Sequence, residues 1–192
     1  MAELLPRLLF DPDAPRASPL WLEIGFGSGE HLAWQAASHP ELLLVGSEVY
    51  RNGIASLLGQ IEARGLGNIR LWPEDARDLL DRLPDGAVAR VFLLFPDPWP
   101  KARHAERRFI GPVNLASLAR IMAPGALLRV ATDDPTYLAW ILDHLPQHPS
   151  FRRAEGAQDG HRRPDDWPPT RYEQKALREG RKPAYLTFER RG

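Results

Sequence analysis

The stretch LEIGFGSGE, residues 22–30, decides how this chain folds. Its apolar start continues a short strand predicted over Leu20–Ile24, and a helical pattern of leucines and alanines follows it. Between the strand and the helix stand Gly25, Gly27 and Gly29. Glycines at such a turn let the backbone turn tightly and let a ligand approach closely. The stretch is either a plain strand–turn–helix corner or a nucleoside-cofactor loop, and its position, spacing and context favour the loop.

The segments downstream repeat the order of strand and helix. Apolar runs predict further strands in ELLLVGSEVY (41–50), NIRLWPEDA (68–76) and ARVFLLFPD (89–97), and over Ala126–Thr132 after a Pro-Gly turn. A loop-like segment, a short charged helix and a β-rich run follow over residues 155–190. Because strands alternate with helices, we predict a single-domain α/β fold, with a mostly parallel sheet and helices on both faces.

Composition limits the classes of function. The chain has 192 residues, of which 43% are hydrophobic and 26% charged, as in ordinary globular domains. Because 25 acidic residues balance 25 basic ones, any contact with nucleic acid must come from a local patch. The chain has no cysteine, which excludes disulfides and a thiol nucleophile. The six histidines show no metal-ligand spacing, so we expect no metal site.

The domain organisation predicted from the sequence is simple. Residues 1–20 are rich in Pro, Leu and Asp and read as an N-terminal arm, and residues 21–192 read as one domain. The first residues lack a basic segment followed by a long apolar one, so we expect no signal peptide. The apolar runs are too short to span a bilayer, and we expect a cytoplasmic protein with no membrane contact.

Acidic residues stand within the first predicted strand and at or after the end of the next two. Glu23 stands two residues before the first glycine, and Glu48 ends the second strand. An acid in the position of Glu48 accepts hydrogen bonds from a ribose diol and disfavours a 2′-phosphate, so NADP is not expected. Asp75 follows the third strand, where an acid is either a helix N-cap or a cofactor contact. In series with Glu23 and Glu48, the cofactor contact is favoured.

The fourth strand runs into PDPWPK, residues 96–101, and then into a basic tract. Asp97 is predicted at the carboxyl end of that strand, where ligands bind in open α/β sheets. The prolines on either side of it fix two φ angles and stiffen the turn. The tract supplies Lys101, Arg103, His104, Arg107 and Arg108, and its place beside the predicted active site favours phosphate contacts over a merely solvated face.

At these residues the chain resembles a known family. The glycine loop resembles the adenosylmethionine loop of class I methyltransferases. PDPWPK with its basic tract, together with TRYEQKALREG (170–180), resembles the bacterial tRNA (guanine-N7-)-methyltransferases, and the likeness extends from about Trp21 to Arg190. The resemblance implies a Rossmann-like class I methyltransferase fold with a seven-stranded sheet. It also implies methyl transfer from S-adenosylmethionine to N7 of a guanine in the tRNA variable loop.

The resemblance also assigns roles to single residues. It gives catalysis to Asp97. It gives cofactor contacts to Glu23, Gly25, Gly27, Gly29, Glu48, Asp75 and Asp97. It gives substrate contacts to Lys101, Asp133, Thr170, Arg171, Tyr172 and Glu173. Three of these residues have an alternative in local structure: Asp133 could cap the next helix, and Thr170 with Glu173 could form a capping box instead of, or as well as, binding substrate.

Other functions explain less of the sequence. An NAD-dependent oxidoreductase would use the glycines and Glu48 but not PDPWPK and its basic tract. A small-molecule methyltransferase would use the cofactor loop but leave the basic tract and the C-terminal helix without a role. A methyltransferase acting on another RNA is the remaining alternative. A non-catalytic RNA-binding module would leave the cofactor loop without a role. The expected partner is tRNA, and the sequence does not decide between a monomer and a homodimer.

Overall fold

A computed structural model describes residues 8–14, 19–157 and 160–192. It contains a seven-stranded sheet in the order β3-β2-β1-β4-β5-β7-β6. The strands are β1 Leu20–Ile24, β2 Leu44–Ser47, β3 Ile69–Trp72, β4 Val88–Leu94, β5 Met122–Thr132, β6 Phe151–Arg153 and β7 Ala184–Arg190. Neighbouring strands from β3 to β5 pair in parallel, and β7 runs antiparallel to β5 and β6. The predicted mostly parallel α/β sheet is confirmed.

Helices cover both faces of this sheet. They are α1 Glu30–Ser38, α2 Arg51–Arg64, α3 Ala76–Arg82, α4 Pro112–Ile121, α5 Pro135–Gln147 and α6 Arg171–Arg178, with a 3-10 turn over Ala102–Arg107. One buried apolar cluster joins the sheet to α3, α4 and α5, and another joins it to α1 and α2. Within the described ranges, no helix has the length and apolarity needed to cross a membrane.

The order of the strands creates a crevice. β1 pairs with β2 on one side and with β4 on the other: the chain runs outward from β1 to β3 and then crosses back to β4, so the strand order reverses next to β1. In open α/β sheets the carboxyl ends of the strands at such a reversal form the ligand-binding crevice. The glycine loop follows β1 and the PDPWPK segment follows β4, so the two predicted site segments face this crevice.

The predicted arm is described only in part, because residues 1–7 and 15–18 lie outside the described ranges. In residues 8–14, Leu8 and Phe10 are buried. The Phe10 amide donates to the Leu71 carbonyl at 2.8 Å, and Leu9 forms a parallel bridge with Leu71. This segment therefore packs along the outer edge of β3.

The structure differs from the predictions at two strands. β5 begins at Met122, and the Pro-Gly turn expected before Ala126 is an irregularity inside the strand: Val88 pairs with Met122, whereas Arg90 pairs with Leu127. Gly125, with φ of 80°, supplies the left-handed residue that the extra loop of backbone requires. β6, only three residues long, has too short a pattern to be predicted from sequence.

Candidate active site

The glycine loop requires glycine for its backbone conformation. Gly25, Gly27 and Gly29 have φ of 69°, 56° and 79°, a region that other residues rarely adopt. A Cβ at Gly25 or Gly27 would meet no atom within 4 Å, because both residues border open space. A Cβ at Gly29 would lie 2.7 Å from the Leu57 Cβ, so this glycine also lets α1 and α2 pack closely.

A cavity of about 760 Å³ lies at the carboxyl ends of β1 and β4. Its volume is in the range of small-molecule sites, roughly 300–1,000 Å³. The predicted residues that line it are Gly25, Gly27, Glu48 and Asp97, joined by Trp99, Arg77, Glu106, Arg107 and Phe109. One cavity therefore brings the glycine loop, the acid after β2 and the acid after β4 together.

Glu48 is anchored by backbone donors. Its Oε2 accepts from the Gly27 amide at 2.8 Å, and its Oε1 accepts from the amides of Val49 and Tyr50 at 2.8 and 2.9 Å. Each carboxylate oxygen can accept two hydrogen bonds, so Oε2 keeps capacity for a ligand hydroxyl. The carboxylate is thus fixed in place before any ligand arrives.

Sequence reasoning missed Gly53, in the first turn of α2. A Cβ at this position would come closer than 3 Å to the Gly27 carbonyl oxygen. Gly53 therefore lets α2 pack closely against the glycine loop. A glycine near the start of a predicted helix, five residues after Glu48, was the available signal.

A second cavity, of about 150 Å³, lies beside the first and shares Gly25, Gly27 and Phe95 with it. Predicted residues line it as well, namely Glu23, Thr170, Arg171 and Tyr172. Glu23 is only 2% exposed, and its Oε2 lies 2.7 Å from Nδ1 of His31. The main-chain amide of Arg171 donates to Glu30 at 2.9 Å, which ties the start of α6 to the start of α1.

The turn that carries Asp97 is strained. Phe95 and Trp99 have φ of 52° and 42°, and they are the two non-glycine residues with positive φ in the described ranges. Such conformations cost roughly 1–3 kcal/mol each and persist only where the surroundings hold them. The side chain of Asp97 is exposed between them and faces the larger cavity. The stiff turn expected from the two prolines is therefore also a strained one.

Arg108 corrects one prediction. The sequence suggested that it contacts phosphate with the rest of the basic tract, but its side chain is buried, with 5% exposure. Its Nε donates to the Pro98 carbonyl and its Nη2 to the Trp99 carbonyl, both at 3.0 Å. The guanidinium therefore stabilises the strained turn. Because it is buried against those two carbonyls, it is out of reach of a phosphate.

The other cations of the tract stay at the surface. Lys101, Arg103 and Arg107 are exposed. The Arg107 guanidinium lies 4.8 Å from the Trp99 ring centroid, and His104 packs edge-on against the same ring at 5.8 Å. Trp99 thus stands at the cavity wall with one face of its ring covered by a cation.

Asp75 caps α3, which was one of the two roles predicted for it from the sequence. Its Oδ1 accepts from the Arg77 amide at 2.9 Å, and its Oδ2 pairs with the Arg77 guanidinium at 2.9 Å. Arg77 lines the larger cavity, whereas Asp75 is not among the described residues that line it. A cofactor contact by Asp75 stays a prediction.

The capping box at the start of α6 is confirmed. Thr170 Oγ1 accepts from the Glu173 amide at 3.2 Å, and Glu173 Oε2 accepts from the Thr170 amide at 3.4 Å. Glu173 is buried, and it also binds Arg163 and accepts from the Tyr185 hydroxyl. Burial and the bond to Glu173 raise the pKa of Tyr185. These contacts occupy Glu173 within the protein.

The capping role considered for Asp133 is wrong, because Asp134 caps α5 by accepting from the Tyr137 amide at 2.8 Å. Asp133 instead forms an ion pair with Arg181 and accepts from the Tyr172 hydroxyl at 3.4 Å. Burial raises the pKa of Tyr172, so the hydroxyl remains a donor. Asp133 therefore belongs to a cluster beside the smaller cavity.

No three His, Asp or Glu side chains within the described ranges are grouped so as to hold a metal ion. What the site offers is a cradle of left-handed glycines, a fixed carboxylate for a diol, and a second carboxylate across the same cavity. This arrangement suits a nucleoside ligand and a reaction in which positive charge develops.

Comparison with known proteins agrees with this geometry. A family model described as "Putative methyltransferase" matches residues 17–186. The tRNA (guanine-N(7)-)-methyltransferase of Rhodospirillum rubrum is 57% identical over 97% of this chain and 72% of its own length. The enzyme of the same name from Paramagnetospirillum magneticum is 56% identical over 97% of this chain and 77% of its length.

Solved structures support the fold. The 16S rRNA methyltransferase KamB superposes with a TM-score of 0.64 at 18% identity, covering 100% of this chain and 93% of that one. An rRNA methylase from Streptococcus thermophilus gives 0.59 at 11% identity, covering 99% and 93%. At such identities the likeness concerns the class I methyltransferase fold alone. The relatives identical at more than half of the aligned positions decide the family, and this chain belongs to the tRNA (guanine-N(7)-)-methyltransferases.

Proposed function

We infer that this chain transfers a methyl group from S-adenosylmethionine to N7 of a guanine in tRNA, forming 7-methylguanosine. The observation that carries the inference is the single cavity lined by Gly25, Gly27, Glu48 and Asp97 at the reversal of strand order. It occurs in a chain that belongs to the family of this activity. From the resemblance, we further propose that the guanine lies in the variable loop and that the enzyme works in the cytoplasm.

The residues present fit the methyl donor. Gly25 and Gly27 leave open space where any Cβ would intrude, which lets an extended nucleoside lie against the backbone. Glu48, held by three amides, is placed to accept from a ribose diol. When bound, S-adenosylmethionine supplies an electrophilic methyl group on a sulfonium.

The reaction does not require a strong general base from the protein. Guanine N7 carries a lone pair in the plane of the ring, so no proton must leave before attack. Positive charge then develops on the purine. We propose that Asp97 stabilises that charge as the catalytic residue, either directly or by accepting from the N1–H and amino group of the guanine. The strained turn that carries it fixes the carboxylate in advance, so little reorganisation accompanies reaction.

The tRNA would be held around the cavity mouth. Exposed Lys101, Arg103 and Arg107 offer phosphate contacts. Tyr172, 45% exposed, lies 5.1 Å from the Phe95 ring and is placed to stack on an extruded base, as is Trp99. Thr170 and Arg171 line the smaller cavity together with Tyr172, and Asp133 accepts from the Tyr172 hydroxyl, which supports the substrate contacts expected of them.

The test is methyl transfer from labelled S-adenosylmethionine to an unmodified tRNA transcript. A matched transcript carries 7-deazaguanine, which lacks N7. Label in the first transcript and not in the second is the expected result. Label in both would keep the methyltransferase and overturn the N7 assignment. Absence of label in both, despite clear binding of S-adenosylhomocysteine, would overturn tRNA as the substrate.

A further inference from the structure

A chain of buried hydrogen bonds runs behind the cofactor loop. Glu23 on β1 contacts His31 on α1, with Oε2 and Nδ1 2.7 Å apart. The Nε2 of His31 lies 3.1 Å from the amide nitrogen of Gln35, one turn later on α1. The same amide nitrogen donates to the Asp166 carbonyl at 3.1 Å. Glu23, His31 and Gln35 are each at most 2% exposed, so water does not compete for these bonds.

The geometry fixes the tautomer of His31. The Asp166 carbonyl only accepts hydrogen bonds, so the Gln35 group that faces it must be the NH₂ end. The second N–H of that group then points at His31 Nε2, which must accept. The ring proton therefore sits on Nδ1 and is donated to Glu23 Oε2. Gln35 therefore fixes the tautomer of the His31 imidazole, and the imidazole fixes the orientation of the Glu23 carboxylate.

The other oxygen of Glu23 is left for a ligand. In the described part of the chain, Oε1 has no hydrogen-bond partner, and Glu23 lines the smaller cavity with Gly25 and Gly27. Those two glycines also line the larger cavity, where Glu48 is placed for the ribose. A ligand whose ribose lies against Glu48 and which extends along the glycines would bring its far end to Glu23. In S-adenosylmethionine that end carries an ammonium group.

We propose that His31 is a positioning residue for Glu23, and that the pair makes the site select cofactors by their amino-acid end. This proposal rests on the cofactor assignment above, and it specifies how the site distinguishes ligands that carry an amino-acid end from those that lack one. His31 also borders the smaller cavity, but both of its ring nitrogens are engaged, Nδ1 with Glu23 and Nε2 with Gln35, so it acts on the ligand through Glu23. It holds one oxygen of Glu23, so that the second oxygen is presented to the ammonium group in a fixed direction.

Two ligands separate this role from a merely structural one. S-adenosylhomocysteine carries the ammonium and carboxylate, whereas 5′-methylthioadenosine has the same nucleoside without the amino-acid end. The substitution His31→Phe keeps a ring between Phe92 and Trp167, which contact the imidazole edge-on at 4.6 and 5.7 Å, but removes the donor. His31→Asn keeps a donor near the place of Nδ1.

Calorimetry should show that His31→Phe weakens S-adenosylhomocysteine roughly 10- to 100-fold, the usual size of a lost charge-assisted bond. Binding of 5′-methylthioadenosine should change less than about twofold, and His31→Asn should recover most of the lost affinity. Equal weakening of both ligands, or no weakening of either, would overturn the proposal. Wild-type protein that binds neither ligand would instead contradict the cofactor assignment itself.

A double-mutant cycle tests whether His31 acts through Glu23. Glu23→Gln alone should lose affinity for S-adenosylhomocysteine and spare 5′-methylthioadenosine. Adding His31→Phe to it should then cost little more, because the oriented carboxylate is already gone. Losses that simply add would show that His31 acts elsewhere. If His31→Phe protein does not fold, His31→Asn and Gln35→Met give the same comparison, with Gln35→Met expected to weaken S-adenosylhomocysteine selectively.

Discussion

The guanidinium of Arg108 lies 4.6 Å from the centroid of the Trp140 ring, between helix α5 and the turn that carries Asp97. Trp140 in turn donates to the Ile110 carbonyl, and the Tyr137 hydroxyl accepts from the Ile110 amide at 3.0 Å. Helix α5 thus fixes the backbone after Arg108, and Arg108 fixes the carbonyls of the strained turn. The turn that carries Asp97, the carboxylate proposed to be catalytic, is thus supported by a helix that does not itself line either cavity.

We therefore expect Arg108→Lys to lower the single-turnover methylation rate about tenfold or more, since lysine keeps the charge but cannot span two carbonyls as a planar fork. The salt dependence of tRNA affinity should not change, because Arg108 is buried. Exposed Arg103 is the matched control: Arg103→Gln should reduce the salt slope by about one and spare the rate at saturating tRNA. An Arg108→Lys variant with normal rate and a reduced salt slope would show that Arg108 contacts phosphate after all.

The case of Arg108 shows where sequence reasoning stops. Local patterns predicted β1 at Leu20–Ile24, the capping box of Thr170 and Glu173, and the glycine loop, because hydrogen bonds and φ angles between near neighbours decide these features. The burial of Arg108 depends on Trp140, which comes from a distant helix. Nothing in a run of basic residues reveals which one the fold will enclose.

The same limit applies to Gly53 and to Asp133. The need for glycine at position 53 comes from the Gly27 carbonyl, which is near only after α2 packs on the loop. In the pair of acids after β5, sequence alone does not tell which one caps α5. The structure assigns the cap to Asp134 and pairs Asp133 with Arg181.

Two glycines of α2 give a matched pair of substitutions. Alanine favours a helix over glycine by about 1 kcal/mol, so Gly59→Ala, whose Cβ would meet nothing within 4 Å, should stabilise the protein by about that amount. Gly53→Ala has the same gain in propensity, but its Cβ would clash with the Gly27 carbonyl, and backbone cannot give way cheaply. We expect it to lower S-adenosylhomocysteine affinity about tenfold or more, measured by calorimetry. If Gly53→Ala and Gly59→Ala had the same affinity for S-adenosylhomocysteine, the role given to Gly53 would be refuted.

The raised pKa of Tyr137 leads us to expect that the free energy of unfolding falls at alkaline pH. Burial raises the pKa of its hydroxyl to about 12, above the ordinary value of 10.0. The unfolded chain therefore releases this proton at lower pH than the folded one. The stabilisation is complete below about pH 10 and is lost as the pH rises towards 12, by up to about 3 kcal/mol.

Urea unfolding of wild type and Tyr137→Phe between pH 8.5 and 11 checks this sign. The variant should be less stable near neutral pH, because the Ile110 amide loses its acceptor, by about 1–3 kcal/mol. The gap between the two proteins should narrow as the pH rises. The raised pKa of Tyr185 contributes equally to both curves and cancels in the comparison. A gap that stays constant across this range would contradict the assignment.

Substitution of Asp97 should affect the methylation rate more than any other change considered above. Asp97→Asn keeps the size of the side chain and removes the charge that would stabilise the developing cation, so the single-turnover rate should fall about 10²-fold or more. The dissociation constant of tRNA should move less than about threefold, because binding leaves the purine uncharged. Glu106→Gln, which removes another exposed carboxylate from the wall of the same cavity, is the control and should leave the rate nearly unchanged. Equal losses of rate and of tRNA affinity in Asp97→Asn would make Asp97 a binding residue and remove it from the chemical step.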